Sequence, residues 1–220
     1  MAQELTKEQV LLLNNLMYLS DTEPLKNIVK SDATTIEDFI GTISINKIQD
    51  NKDYGSYMTG KDWKNLINAI KSDDQLMNMQ IVETHVDNGK NGGDGISAVF
   101  VQPETKEAVV AFRGTSKNEW KDNFTGGGPT DAADGVSTFQ QENALEWYQS
   151  LDLSKYETVT VTGHSKGGNK AKYITVLDNS VDRCLSFDGQ GFSDEFIKSI
   201  VMKLPGIREK SSIVMWIKIM

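Results

Sequence analysis

The sequence predicts an α/β fold, with a mostly parallel central sheet, an antiparallel β-meander and helices on both faces. Three observations carry this. Up to residue 78, apolar residues recur mainly at helical spacing. From 79 to 113 they alternate or run together as strands do. From 158 onward, strand-like and helix-like stretches take turns. Strands alternating with helices signal parallel winding, whereas consecutive strands joined by short polar turns pair antiparallel. The 220 residues, 38% hydrophobic and 25% charged, suit one domain. Residues 1–78 would form its mainly helical part and 79–220 its sheet core.

The elements follow in order. Thr6 and Gln9 have capping-box spacing, and Val10, Leu11, Leu13, Leu16 and Met17 supply a helical stripe behind them. Two short helices are expected around 24–30 and 35–42, then a loop over 53–60. Trp63, Leu66, Ile67 and Ile70 place a helix over 61–72. The acidic stretch Ser72-Asp73-Asp74 reads as solvated surface or cap. MQIVETHVD alternates as a strand, and NGKNGGDG supplies the Gly and Asn of a hairpin turn. GISAVFV and EAVVAF, joined by QPETK, complete a meander over 79–113. A polar, Gly-rich stretch precedes a helix at about 137–151. YETVTVTGHS is a strand, GNKAKYITVL a helix, RCLSF a strand, and SDEFIKSIV a helix with Ser193 as its cap.

The chemistry concentrates in VTGHSKGGNK, residues 161–170. Gly163-His164-Ser165-Lys166-Gly167 fits G-x-S-x-G between a strand and a helix. Such a turn holds a serine in a strained backbone so that its hydroxyl projects above the sheet. Gly163 and Gly167 keep side chains out of the crowded turn. Gly168 and Ala171 are small where the helix must lie close on the sheet. A serine so placed begins a helix, whose amides can bind an oxyanion, and the amide of Lys166 is the expected first donor. The plainer reading is a serine in a Gly-rich turn without chemistry. A second oxyanion donor must come from another loop. Thr115, in the stretch AVVAFRGTSKNEW just past a strand, offers an amide and a hydroxyl.

Taken together, AFRGT, then Trp120 and Asp122, then GHSKGG resemble the class 3 lipases, and more closely the bacterial Mbeg1-like group. LLLNNLMYLSD and SFDGQGFSDEF extend the resemblance from about residue 5 to about 198. It implies an α/β-hydrolase fold and hydrolysis of carboxylic esters by a lipase, phospholipase or esterase without a cofactor or metal. Ser165 would be the nucleophile, with Thr115 and Lys166 as oxyanion donors. The segment near Trp120 would act as a lid, with Trp120 and Phe124 touching the acyl chain of a lipid or other apolar ester. Ordinary core packing is the alternative for those two aromatics.

A serine needs a base. In α/β-hydrolases the acid and then the histidine follow the serine along the chain. No histidine follows Ser165 here. His164 would point away from the hydroxyl and serve as a packing residue of the elbow. His85 lies upstream in a strand and reads as structural. Asp188 follows a strand, but by the resemblance the acid belongs one strand later. The last twenty residues, VMKLPGIREKSSIVMWIKIM, leave the family pattern, so the C-terminal part of the fold is expected to be missing. A frameshift or early stop, a fragment, or a degenerate member that lost the chemistry would each account for this. Weak or absent activity follows, and the alternative function is a non-catalytic domain that holds a lipid or a protein in its cleft.

Other classes are excluded or unsupported. A net charge of −8 gives no basic stripe for nucleic acid. It also removes electrostatic attraction to anionic lipid as a driving force, leaving only transient contact with a membrane surface. NGKNGGDG satisfies neither a P-loop nor an EF-hand pattern, and no Cys/His cluster has zinc spacing. The single cysteine, Cys184, lies in an apolar run and reads as a buried structural thiol. The N-terminus lacks the features of a cleaved signal peptide, and no apolar run is long enough to span a membrane. A cytoplasmic protein, or one exported without a cleaved signal, is expected.

Overall fold

The computed structural model describes residues 4–56, 58–87, 95–115 and 137–203. The hairpin turn expected around 88–94, the segment holding Trp120, Asp122 and Phe124, and the tail from 204 lie outside the described residues. Helix α1 (Lys7–Leu16) starts at the expected capping box, with Thr6 Oγ1 accepting from the Gln9 amide and Gln9 Oε1 from that of Thr6. Helix α2 spans Ile36–Gly41 and α3 spans Gly60–Lys71. The helix expected over 24–30 is only a 3₁₀ turn, Ile28–Lys30. The Asn27 side chain caps it, accepting from the Val29 amide and donating to the Leu19 carbonyl. Local side-chain bonds of this kind favour turns over helix. Asp73 accepts from the Leu76 amide and so takes the cap role expected of this acidic stretch, at the start of a short helix, α4 (Asp74–Met77).

Five strands form one sheet in the order β1-β2-β3-β4-β5: β1 (Gln80–Val86), β2 (Ile96–Gln102), β3 (Glu107–Phe112), β4 (Thr158–His164) and β5 (Arg183–Phe187). The first two pairings are antiparallel, as the meander requires, and β3-β4 and β4-β5 are parallel. Helices α5 (Phe139–Ser150), α6 (Lys166–Leu177) and α7 (Asp194–Lys203) complete the described elements. The result is a mixed sheet with helices on both faces, as the sequence predicts.

Strand periodicity decides which layer each residue joins. Ala98, Phe100, Val109 and Ala111 face the helical layer and pack with Leu13, Leu16, Phe39, Trp63 and Ile67. Val99, Val101, Ala108, Val110 and Phe112 face the other way, against Ala144 and Trp147 of α5 and Ala171 and Ile174 of α6. Strands β2 and β3 are therefore buried on both faces and show little alternation in sequence. Among the described residues, no helix is long and apolar enough to cross a membrane.

Candidate active site

Strand β4 runs out at His164, and α6 begins at Lys166. Ser165 makes the whole turn between them, at φ 54°, ψ −120°. A non-glycine residue held there stores strain, on the order of 1–3 kcal/mol. Its surroundings enforce the conformation: the Ser165 amide donates to the Phe187 carbonyl at 2.9 Å, and the Ser165 carbonyl accepts from the Asn169 amide at 3.1 Å. The hydroxyl makes no capping bond to the helix it precedes.

The glycines answer to close packing. A Cβ on Gly163 would strike the Gly167 carbonyl, and one on Gly167 would strike the Phe112 carbonyl of β3. A Cβ on Gly168 would sit 2.5 Å from Ser186 Oγ and 2.8 Å from Gly189 Cα. Ala171 is fully buried. The first turns of α6 thus lie on β3 and on the loop after β5 with no room for side chains.

The Arg-Gly-Thr stretch after β3 meets this turn. A Cβ on Gly114 would lie 2.7 Å from the His164 carbonyl oxygen and 3.3 Å from Ser165 Cβ. Thr115, half-buried, follows directly. The loop that leads into Thr115 thereby lies against the turn that carries Ser165 and Lys166. The Lys166 side chain is fully buried and its ammonium donates to Thr138 Oγ1 at 3.4 Å, at the start of α5.

Several contributors carry no signal in the sequence. The Tyr18 phenol bonds His164 Nδ1 at 2.9 Å and accepts from the Gly114 amide at 3.0 Å. Asn169, fully buried, accepts from Gln141 at 2.7 Å and donates to the Gly191 carbonyl at 3.0 Å. Lys172 donates to the Gly189 carbonyl at 3.1 Å, and burial holds its ammonium below the ordinary lysine range. The loop after β5 is therefore pinned by side chains of α6. Asp188 sits in it at φ 45° with an exposed side chain.

Among the described residues neither histidine is hydrogen-bonded to the Ser165 hydroxyl. His164 is engaged by Tyr18. His85, on the outer strand β1, stacks on Trp147 with centroids 5.3 Å apart and planes 16° from parallel. At about 4.8 Å per strand, β1 lies roughly 14 Å across the sheet from β4. His85 and Trp147 line a cavity of about 400 Å³, and a second, of about 680 Å³, opens between α2 and α3; Ser165 lines neither. Cys184, expected to be buried, is half-buried in β5 with its side chain toward α6, and burial pushes its thiol up.

The sequence profile of the Mbeg1-like family matches residues 71–214. The chain belongs to the Mbeg1-like family. The match starts later than the visible motifs and reaches into the tail where those motifs stop. No curated protein sequence matches this Mbeg1-like chain. Among solved structures it is similar to a mono- and diacylglycerol lipase from Aspergillus oryzae (15% identity, TM-score 0.43, 83% of this chain and 61% of that one). It is also similar to the Lip2 lipase of Yarrowia lipolytica (14%, 0.42, 83% and 56%) and to lipase II from Rhizopus niveus (17%, 0.37, 56% and 53%). The chain spans between 53% and 61% of the length of these lipases.

Proposed function

We propose that this Mbeg1-like chain is a lipase-like hydrolase that carries the serine half of a carboxylic-ester active site. Ser165 attacks the ester carbonyl, the amides of Lys166 and Thr115 take the developing oxyanion, the alcohol leaves, and water releases the acyl group from the serine. By the resemblance, Trp120 and Phe124 accompany the acyl chain. The single observation behind this reading is the backbone of Ser165, held at φ 54° on a strand–helix turn with Gly114 packed against its Cβ. Strain maintained by close packing on several sides is the mark of a functional position.

The two histidines set the expected rate. With His164 on Tyr18 and His85 across the sheet, neither is placed as general base for the hydroxyl, and the ~10³–10⁴-fold catalysis of oxyanion hole and binding alone is expected. A fluorophosphonate probe tests this directly. The expected result is slow covalent labelling at Ser165, absent in Ser165→Ala, with ester turnover far below the ~10 s⁻¹ of an ordinary enzyme. A chain that never labels would instead be a binding domain using the same cleft for a lipid or a protein. The engagement of both histidines favours that second reading.

A further inference from the structure

We propose that Tyr18 is a positioning residue of the Ser165 site, its phenol fixing the loop that carries Thr115 against the turn that carries Ser165. This rests on the reading of Ser165 as a nucleophile. The Gly114 amide donates to the Tyr18 oxygen at 3.0 Å. The same oxygen lies 2.9 Å from His164 Nδ1 and 3.5 Å from the His164 carbonyl. A phenol has one proton and can accept as well. With the Gly114 amide donating into it, the same oxygen also bonds Nδ1, as donor or acceptor according to the imidazole tautomer. The rings meet edge to face, centroids 5.7 Å apart at 71°.

Tyr18 is itself held firmly. Met17 and Leu19 on either side are fully buried, and the Tyr18 carbonyl accepts from the Ser56 hydroxyl at 3.0 Å. One anchored phenol thus spans the end of β3 and the end of β4. Two consequences follow. The Gly114 amide is committed to Tyr18, so the donor this loop offers an oxyanion belongs to Thr115. His164 is committed as well, its Nδ1 to the phenol and not to Ser165. Tyr18 acts through Gly114 and touches no substrate. Its importance comes from the geometry of oxyanion donors, which must sit within about 0.4 Å of their working distance, where a 1 Å displacement costs ~100-fold.

Three measurements on the full chain test the proposal. The first leaves Tyr18, His164 and Ser165 unaltered. The ¹⁵N spectrum of the imidazoles, with only two histidines to assign and His85→Gln to separate them, should show His164 Nδ1 hydrogen-bonded in either tautomer; an Nδ1 without a hydrogen bond overturns the clamp. The second is the rate of fluorophosphonate labelling, expected to fall about tenfold in Tyr18→Phe. The third is the melting temperature of that variant, expected to change by a few degrees at most. Unchanged labelling, with or without a lowered melting temperature, overturns the positioning role and leaves the Ser165 reading standing. No labelling of the unaltered chain removes the Ser165 reading and this role with it, whatever the imidazole spectrum shows.

Discussion

At its start β4 meets a closed polar network, and at its end a strained turn. Thr160 donates to Glu107 Oε1 at 2.9 Å, and the Leu5 amide donates to Glu107 Oε2 at 2.8 Å. Arg183 donates to the Leu5 carbonyl at 2.7 Å and lies 3.7 Å from Glu107. Glu107 is fully buried, and both its oxygens are used. This end ties the beginning of the chain to three parallel strands. At the other end Ser165 takes a backbone that few side chains tolerate, and Gly167 leaves no side chain where the first turn of α6 meets the end of β3. Buried polar groups are inexpensive when every partner is present and costly when one is lost. Strain has the opposite sign, since it persists only because the rest of the fold outweighs it. The same strand therefore has one end organised for stability and one that draws on it.

The comparison can be broken most severely at Gly167. Gly167→Ala puts a methyl group against the Phe112 carbonyl and within 2.9 Å of the Arg113 backbone. Neither is a flexible side chain, so the expected loss is about 4 kcal/mol, at the top of the range for overpacking and strain. Urea unfolding, or recovery of soluble protein if the variant does not fold, checks it. At the other end, Glu107→Ala leaves the Leu5 amide and the Thr160 hydroxyl buried without an acceptor. About 3 kcal/mol should be lost, with Arg183→Met costing less because Arg183 is partly solvated. If Glu107→Ala proves neutral in urea unfolding, this network does not anchor the chain start. The smallest effect has the opposite sign. Ser165→Gly releases the backbone at φ 54° and should stabilise the fold by about 1 kcal/mol while abolishing fluorophosphonate labelling. A destabilised Ser165→Gly chain would mean that the turn stores no strain.

Much was legible in the sequence where the determinants are local. The capping box of α1, the alternation of β1 and the succession of β4, α6, β5 and α7 were each set within a dozen residues, because periodicity and caps act over one or two turns. Gly163, Ser165 and Gly167 were legible because a strand-to-helix turn in so little space permits few residues. The expected helix over 24–30 failed for an equally local reason, the Asn27 side chain competing for the backbone.

By itself, then, the sequence determined the order of elements, the turn at Ser165 and the lack of a histidine after it. Only the tertiary structure decided which distant residues meet there. Tyr18, Gly114 and His164 come from three separate stretches, Tyr18 standing 96 and 146 positions along the chain from its two partners. Glu107 likewise draws together Leu5, Thr160 and Arg183. A hydrogen bond between side chains so far apart leaves no periodicity or motif behind. It exists because the sheet order sets β3 beside β4 and the helical layer, packed on one face, delivers α1 to both ends.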